Sequence, residues 1–310
     1  MATATFYDPL FLEHDTGRGH PECAARLEAI VNVLQKVSYY GDLLHLPARD
    51  ATPAEITLVH ERAYVDELSS FCSNGGGYLD GDTPVSLKSF AAATLAAGAG
   101  LSAVDALREG RARNAFLLVR PPGHHSLKDR AMGFCLFNNV AITAAYAREQ
   151  GFERVAIVDW DVHHGNGTES IFYNNSNVYF ISLHQYPCYP GTGARSHRGA
   201  GAGQGFTLNV PLPPGTGPAP YLRSFDEEVV PALESFAPDL ILISAGFDAH
   251  KDDPLASLEL TTDTFARLTG RLQTLALSTC QGRIISFLEG GYNLRALADS
   301  VEAHVAVLAS

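Results

Sequence analysis

The stretch Asp159-Trp160-Asp161-Val162-His163 sets two carboxylates and an imidazole two residues apart. On an extended chain such residues face one side, while Trp160 and Val162 face the packing. Two hard oxygens and a nitrogen make a partial shell for a divalent cation. Asp248, at the end of the apolar run LILISAGF, offers one more ligand. Asp161, His163 and Asp248 together would leave a position open to water, as catalytic zinc sites do. An Asp–His hydrogen-bonded pair without metal explains the short motif alone about as well. Asp248 and the histidines described next turn the balance toward metal.

His124 and His125 follow Arg120-Pro121-Pro122-Gly123, a stiff turn that fixes both side chains. A lone histidine at a strand end is more often structural. Two in tandem beside metal-type residues suit hydrolysis, which needs a base for the water proton and an acid for the leaving group. Asp159 and Asn166 are natural partners for the rings. A carboxylate keeps one imidazole charged, and an amide leaves the other nearer neutral. Tyr292, after Gly290-Gly291, is placed to donate to an oxyanion. The plainer reading is a packed aromatic, against which the two glycines allow the backbone close to a ligand.

These residues need a frame. Short apolar runs rich in β-branched and aromatic residues occupy 115–125, 155–164, 178–184, 240–250 and 283–293, and read as buried strands. Between them 91–109, 140–150, 221–236, 262–277 and 294–308 space apolar residues at three and four, as helices do. Strand alternating with helix predicts an α/β fold: a single open, mostly parallel β-sheet with helices on both faces. Gly151 suits a helix end, and Thr262 with Asp263 a helix start. The Gly- and Pro-rich segment 191–217 reads as a surface excursion around one short strand. Residues 1–310 are expected to form one domain. Each strand run delivers ionisable groups to its carboxyl end, where open α/β sheets bind ligands.

Composition narrows the function classes. With 46% hydrophobic residues, 28 Gly and 17 Pro, disordered and coiled-coil readings fall away. The 34 acidic against 22 basic residues give a net charge of −12, so nucleic acid is not an expected partner. Five scattered cysteines without a CxxC pair suit a reducing compartment. No secretory signal is visible at the N-terminus, and the soft stretch 89–104 is short for a membrane span. The expectation is a cytoplasmic protein without membrane contact, for which self-association stays open.

RPPGHH, GFCLFNN, DWDVHHGNG, ISLHQ, YPGTG, SAGFDAH and LEGGYN stand in an order and spacing that resemble the zinc-dependent histone deacetylase family, class II-like, with its bacterial deacetylase-like amidohydrolases. The resemblance runs from GHPECAARL near residue 20 to the last helix. It implies the arginase/deacetylase three-layer fold, with Asp161, His163 and Asp248 as ligands of one Zn²⁺. It implies His125 as general base and then acid, His124 as its electrostatic partner on Asp159, and Tyr292 as the donor that polarises the acyl carbonyl. Gly133, Phe134, Tyr189 and Leu255 match the substrate tunnel, and Arg26 an arginine of the acetate channel. Tyr189 departs from the commoner Phe. Asp159, Asp161, His163, Ser182 and Leu183 match an inner K⁺ site, and Phe172, Asn175 and Val178 an outer one. Asn166 and the DWDVHHGNG wording place the chain near class II.

The substrate implied is an acetyl-lysine side chain of a protein or peptide, or a small acylated amine. In polyamine-specific relatives a glutamate stands at the position of Leu255, so acetylpolyamine hydrolysis is the alternative. A binuclear manganese ureohydrolase is more distant: it needs a second carboxylate two residues past each ligand, where this chain has Gly165 and His250. A non-catalytic acyl-lysine binder is disfavoured because the whole catalytic set is present. Cys135 and Cys188 border the tunnel and are expected to be sensitive to oxidation, though catalysis needs neither.

Overall fold

A computed structural model describes residues 2–310. The strands are β1 (Ala2–Phe6), β2 (Leu44–Leu46), β3 (Gly77–Tyr78), β4 (Pro84–Val85), β5 (Ala112–Leu117), β6 (Val155–Asp159), β7 (Val178–Gln185), β8 (Thr207–Leu212), β9 (Leu240–Ala245) and β10 (Ile284–Leu288). The helices are α1 (Ala24–Leu34), α2 (Pro53–Ile56), α3 (Arg62–Ser73), α4 (Ser89–Arg108), α5 (Asn139–Glu149), α6 (Asn166–Phe172), α7 (Pro218–Ser224), α8 (Val230–Phe236), α9 (Thr262–Thr279) and α10 (Leu294–Leu308). Eight strands form one sheet in the order β2-β1-β5-β10-β9-β6-β7-β8, with β3 and β4 a separate small hairpin. Every pairing in the large sheet is parallel.

A parallel strand buried on both faces reads as a continuous apolar run, and LILISA of β9 is buried at every position. Each fully buried Leu or Ile there contributes roughly 1.5–3 kcal/mol over its exposed state. Helices α1, α9 and α10 pack together, and α4 packs against α5. The chain leaves β5, makes β6 to β8, and returns with β9 and β10 into the gap between β5 and β6. That reversal puts the carboxyl ends of four neighbouring strands around one crevice, the place where such sheets bind ligands.

Several elements differ from their sequence expectations for identifiable reasons. The run 115–125 keeps strand pairing only to Leu117, because Pro121 and Pro122 bring no N–H to a ladder. The helix read over 221–236 widens into a π turn at Phe225–Val229, just before Pro231, whose missing N–H breaks the regular bonding. Helix α9 begins at Thr262 as read and runs on to Thr279, but its cap is Thr261 rather than Thr262, in a reciprocal pair with Thr264. Gly151 does follow the end of α5, with φ +96°. The stretch read as short for a membrane continues to Arg108, and α4 is the one helix among the described residues long and apolar enough to cross one. Of its apolar window, 78% is buried inside the fold.

Candidate active site

Asp161 lies two residues beyond β6 and Asp248 three beyond β9, adjacent strands in register from Val155–Leu240 to Asp159–Ser244. Asp161 Oδ1 and Asp248 Oδ2 each stand 3.2 Å from His163 Nδ1. Backbone donors fix the carboxylates from behind. Gly290 N–H donates to Asp161 Oδ2 at 2.8 Å, His163 N–H to Asp161 Oδ1 at 2.9 Å, and Val162 N–H to Asp248 Oδ1 at 2.9 Å. Asp248 Oδ2 is buried and receives no hydrogen bond. Burial and then the charge of Asp161 push the Asp248 carboxyl up to about 7. Desolvation of His163 is overbalanced by Asp161 and Asp248, which raise it well above its usual range. An unpartnered buried carboxylate oxygen is costly. One ligand atom from each of the three residues lies within 4.8 Å of the others, so the set fits a divalent cation.

Beside this set stand the two histidines, ring centroids 4.0 Å apart. His124 Nδ1 is 3.0 Å from Asp159 Oδ2, and His125 Nδ1 is 2.8 Å from Asn166 Oδ1. Burial lowers the His124 pKa, but Asp159 and Asp161 more than reverse this and lift it to about 10. Burial and the neighbouring His124 and His163 hold His125 well below the usual range. An amide oxygen accepts, so His125 carries its proton on Nδ1 and leaves Nε2 free as a base.

Tyr292 comes from the turn after β10, its backbone N–H held by Asp253 Oδ2 at 2.7 Å. Burial and Asp248 keep its phenol well above the ordinary range, so it is a donor. Arg26, fully buried on α1, lies with its guanidinium 5.1 Å from the Tyr292 ring. Its donors go to Gly291 O at 2.7 Å, Glu289 O at 2.5 Å and Glu22 at 3.0 Å.

Phe134 meets the Tyr292 ring edge-on at 5.9 Å, and Tyr189 meets His125 at 5.2 Å. A side chain on Gly133 would strike His125 at 2.5 Å, so the wall needs a glycine there. Phe134 itself has φ +69°, a left-handed backbone that a bulky residue adopts at a cost of about 1–3 kcal/mol. Its N–H is held by Thr83 Oγ1 at 3.1 Å, and His20 meets its ring edge-on at 4.7 Å. Leu255 is 40% exposed on the loop where Asp253 caps its N–H.

Asp159, Asp161 and Ser182 are buried side by side, with Asp159 and Ser182 paired across β6 and β7 and Leu183 next along β7. Phe172, Asn175 and Val178 share the turn from α6 to β7, where Asn175 accepts from the Val178 N–H. The oxidation expected of Cys135 is corrected. Burial and Glu289 raise its thiol well above the usual range, and its S–H donates to Gly133 O. His124, Cys135 and Glu289 also lie close together, but a protonated thiol and a carboxyl already accepting from Gly123 make a packing cluster rather than a ligand set. Cys188 is half-buried.

Sequence reasoning missed three groups. Glu289 Oε2 accepts from the N–H groups of Gly123 and His124, at 2.7 and 3.3 Å, tying β10 to the histidine turn. Its signal was a lone charge in an apolar run. Glu22, buried between Arg26 and Arg120, accepts from both. His164, the third, braces the loop that carries Tyr189 together with His184, which the sequence marks only as the ionisable group ending its strand run.

This open parallel sheet, with its polar cluster at the carboxyl ends, has the arginase/deacetylase fold. The histone deacetylase domain family matches residues 20–308. The chain is 42% identical over 317 residues to a histone deacetylase-like amidohydrolase of Pseudomonas aeruginosa, covering 94% of this chain and 82% of that one. It is 41% identical to a probable deacetylase of Archaeoglobus fulgidus, covering 95% and 82%. A solved structure, the HDA15 HD domain, superposes with a TM-score of 0.95 at 40% identity, covering 99% of this chain and 88% of that one. The chain belongs to the histone deacetylase family, whose members are generally zinc-dependent and hydrolyse amides.

Proposed function

We propose that the chain is a zinc-dependent deacylase that hydrolyses the amide of acetylated lysine side chains, releasing acetate and the free amine. The observation that carries this is the convergence of Asp161, His163 and Asp248, with an unpartnered carboxylate oxygen, opposite two histidines of opposite charge state. A divalent cation bound there supplies Lewis acidity toward water and the acyl oxygen. His125 Nε2 takes a proton from the attacking water and returns one to the leaving nitrogen. His124, held charged by Asp159, keeps His125 from being protonated before the reaction. Tyr292 donates to the developing oxyanion. Phe134 and Tyr189 flank a slender acyl chain, and Leu255 at the rim favours lysine over a polyamine. Arg26 stands where acetate leaves. Potassium is proposed on Asp159, Asp161, His163, Ser182 and Leu183, with a second ion on Phe172, Asn175 and Val178.

Acetylated peptides, acetylpolyamines and longer acyl-lysines assayed side by side test the reading. The expected result is acetate release, fastest from acetyl-lysine peptides, abolished by a chelator and by His125→Ala. Binding without release would sink the enzymatic reading, and faster turnover of acetylpolyamines would transfer the substrate to that class. Metal analysis should give one zinc per chain; two tightly held manganese ions would overturn the site.

A further inference from the structure

Tyr189 stands on the loop that leaves β7 and runs to Gly193. The outgoing limb is tied by backbone bonds: Gln185 N–H to Val162 O and Tyr186 N–H to Leu212 O, both 2.8 Å. The return limb meets the interior through two buried histidines. His184 Nε2 is 3.0 Å from Gly193 O, and His164 Nδ1 is 2.8 Å from Thr192 Oγ1. A carbonyl only accepts, so His184 carries its proton on Nε2, and Ser182 Oγ, at 2.9 Å, donates to the bare Nδ1. His164 Nε2 is in turn fixed by Glu169 Oε2 at 3.1 Å, which also accepts from Asn209. The loop sits directly on the rings: a side chain at Gly193 would lie 2.3 Å from His184 Nε2 and 2.7 Å from His164.

We infer that His184 and His164 are positioning residues, which from beneath set where Tyr189 stands against His125 and so fix the width of the passage for the acyl chain. Neither ring touches the place of reaction. The braces act on substrate fit rather than on chemistry, and this inference rests on the deacylase reading for what passes Tyr189. The rigidity itself can be measured without turnover.

The test uses the zinc-loaded chain with His184→Ala, and His184→Gln, whose amide nitrogen can take the place of Nε2. His184→Ala loses both ring hydrogen bonds, of which the one to Gly193 O, about 1 kcal/mol, holds the loop; its loss should raise KM for an acetyl-lysine peptide and the amide exchange of 186–193 each about five- to tenfold. kcat should stay within about threefold, and the Gln variant should recover most of both losses. Unchanged exchange and KM, or a fall in kcat with KM unmoved, would overturn the positioning role. Thr192→Val removes only the hydroxyl bonded to His164 Nδ1 and should move both readouts in the same direction by about threefold. If His184→Ala does not fold, unchanged exchange and KM in Thr192→Val would overturn the inference. A wild-type chain without deacylase activity would sink the functional reading, while exchange in the variants would still judge the brace.

Discussion

Gly246 offers a way to disturb the proposed metal set without deleting a polar atom. A Cβ there would lie 2.1 Å from Asp161 Oδ2 and 2.5 Å from Asp161 Cα, where ordinary contact starts near 3.4 Å. The backbone at 246 is not left-handed, so Gly246→Ala adds a clash and no torsional strain. The carboxylate oxygen must retreat by about 1.3 Å, whereas metal–ligand distances tolerate about 0.2 Å. A misplacement near 1 Å costs about a hundredfold in rate, and overpacking costs about 1–3 kcal/mol of stability. We expect zinc retained after dialysis to fall well below one per chain. Acetate release at saturating zinc should drop about a hundredfold or more, with far-UV circular dichroism unchanged. Gly41→Ala, where nothing lies within 4 Å of the new methyl, is the control and should match the parent. Full zinc and full activity in Gly246→Ala would refute the argument that Asp161 acts from this one position.

Tyr292→Phe should lower kcat about a hundredfold or more while leaving zinc content intact, and full activity would remove its oxyanion role. Leu255→Glu should raise the rate on acetylpolyamines relative to acetyl-lysine peptides, and an unchanged ratio would free Leu255 from specificity. Burial lowers the pKa of His14 and His60 to about 4 and of His304 to about 3, against 6.5 when unfolded. Because the folded values are depressed, their contribution is complete above pH 6.5 and lost as pH falls through the folded values. Each removes up to about 1.4 kcal/mol per pH unit in that window. The unfolding midpoint should therefore drop between pH 6.5 and 4, and a flat midpoint would contradict it.

Much of this was legible because parallel strands are buried on both faces and so declare themselves as apolar runs. VAIVD and LILISA are read directly, and the polar residues after them must lie at the carboxyl ends. β1 is ATATF, whose small residues and threonines carry no such run, and it pairs only because β5 and β2 flank it. The left-handed Phe134 was unreadable, since nothing local favours it. Its backbone is imposed by Thr83, fifty-one residues earlier, and by the bonds between Met132 and Cys135. The buried Glu22 pairs with Arg26 one turn on, a spacing common on solvated helices. Its second arginine partner, Arg120, lies ninety-eight residues away, so the full compensation of its buried charge is not visible locally.

The two adjacent histidines show how little the residue type itself decides. Both are buried, so desolvation opposes charge on each equally in kind. Their partners differ by one substituent: a carboxylate at Asp159, an amide at Asn166. Asp159 reaches His124 because Gly165 has no side chain; a Cβ there would lie 2.1 Å from Asp159 Oδ2. Once His124 is charged, its proximity lowers His125, so the two cannot hold protons together and only one is left free as a base. The same compensation recurs around the site. Glu22 answers two arginines, and burial brings Glu289 up to about 7, where much of its charge is lost. Uncompensated carboxylates in contact raise a buried histidine, as Asp159 and Asp161 raise His124. A low-pKa base survives there because the nearby carboxylates are matched by cations, hydrogen-bond donors or protonation, leaving Asp161 and Asp248 for the proposed metal.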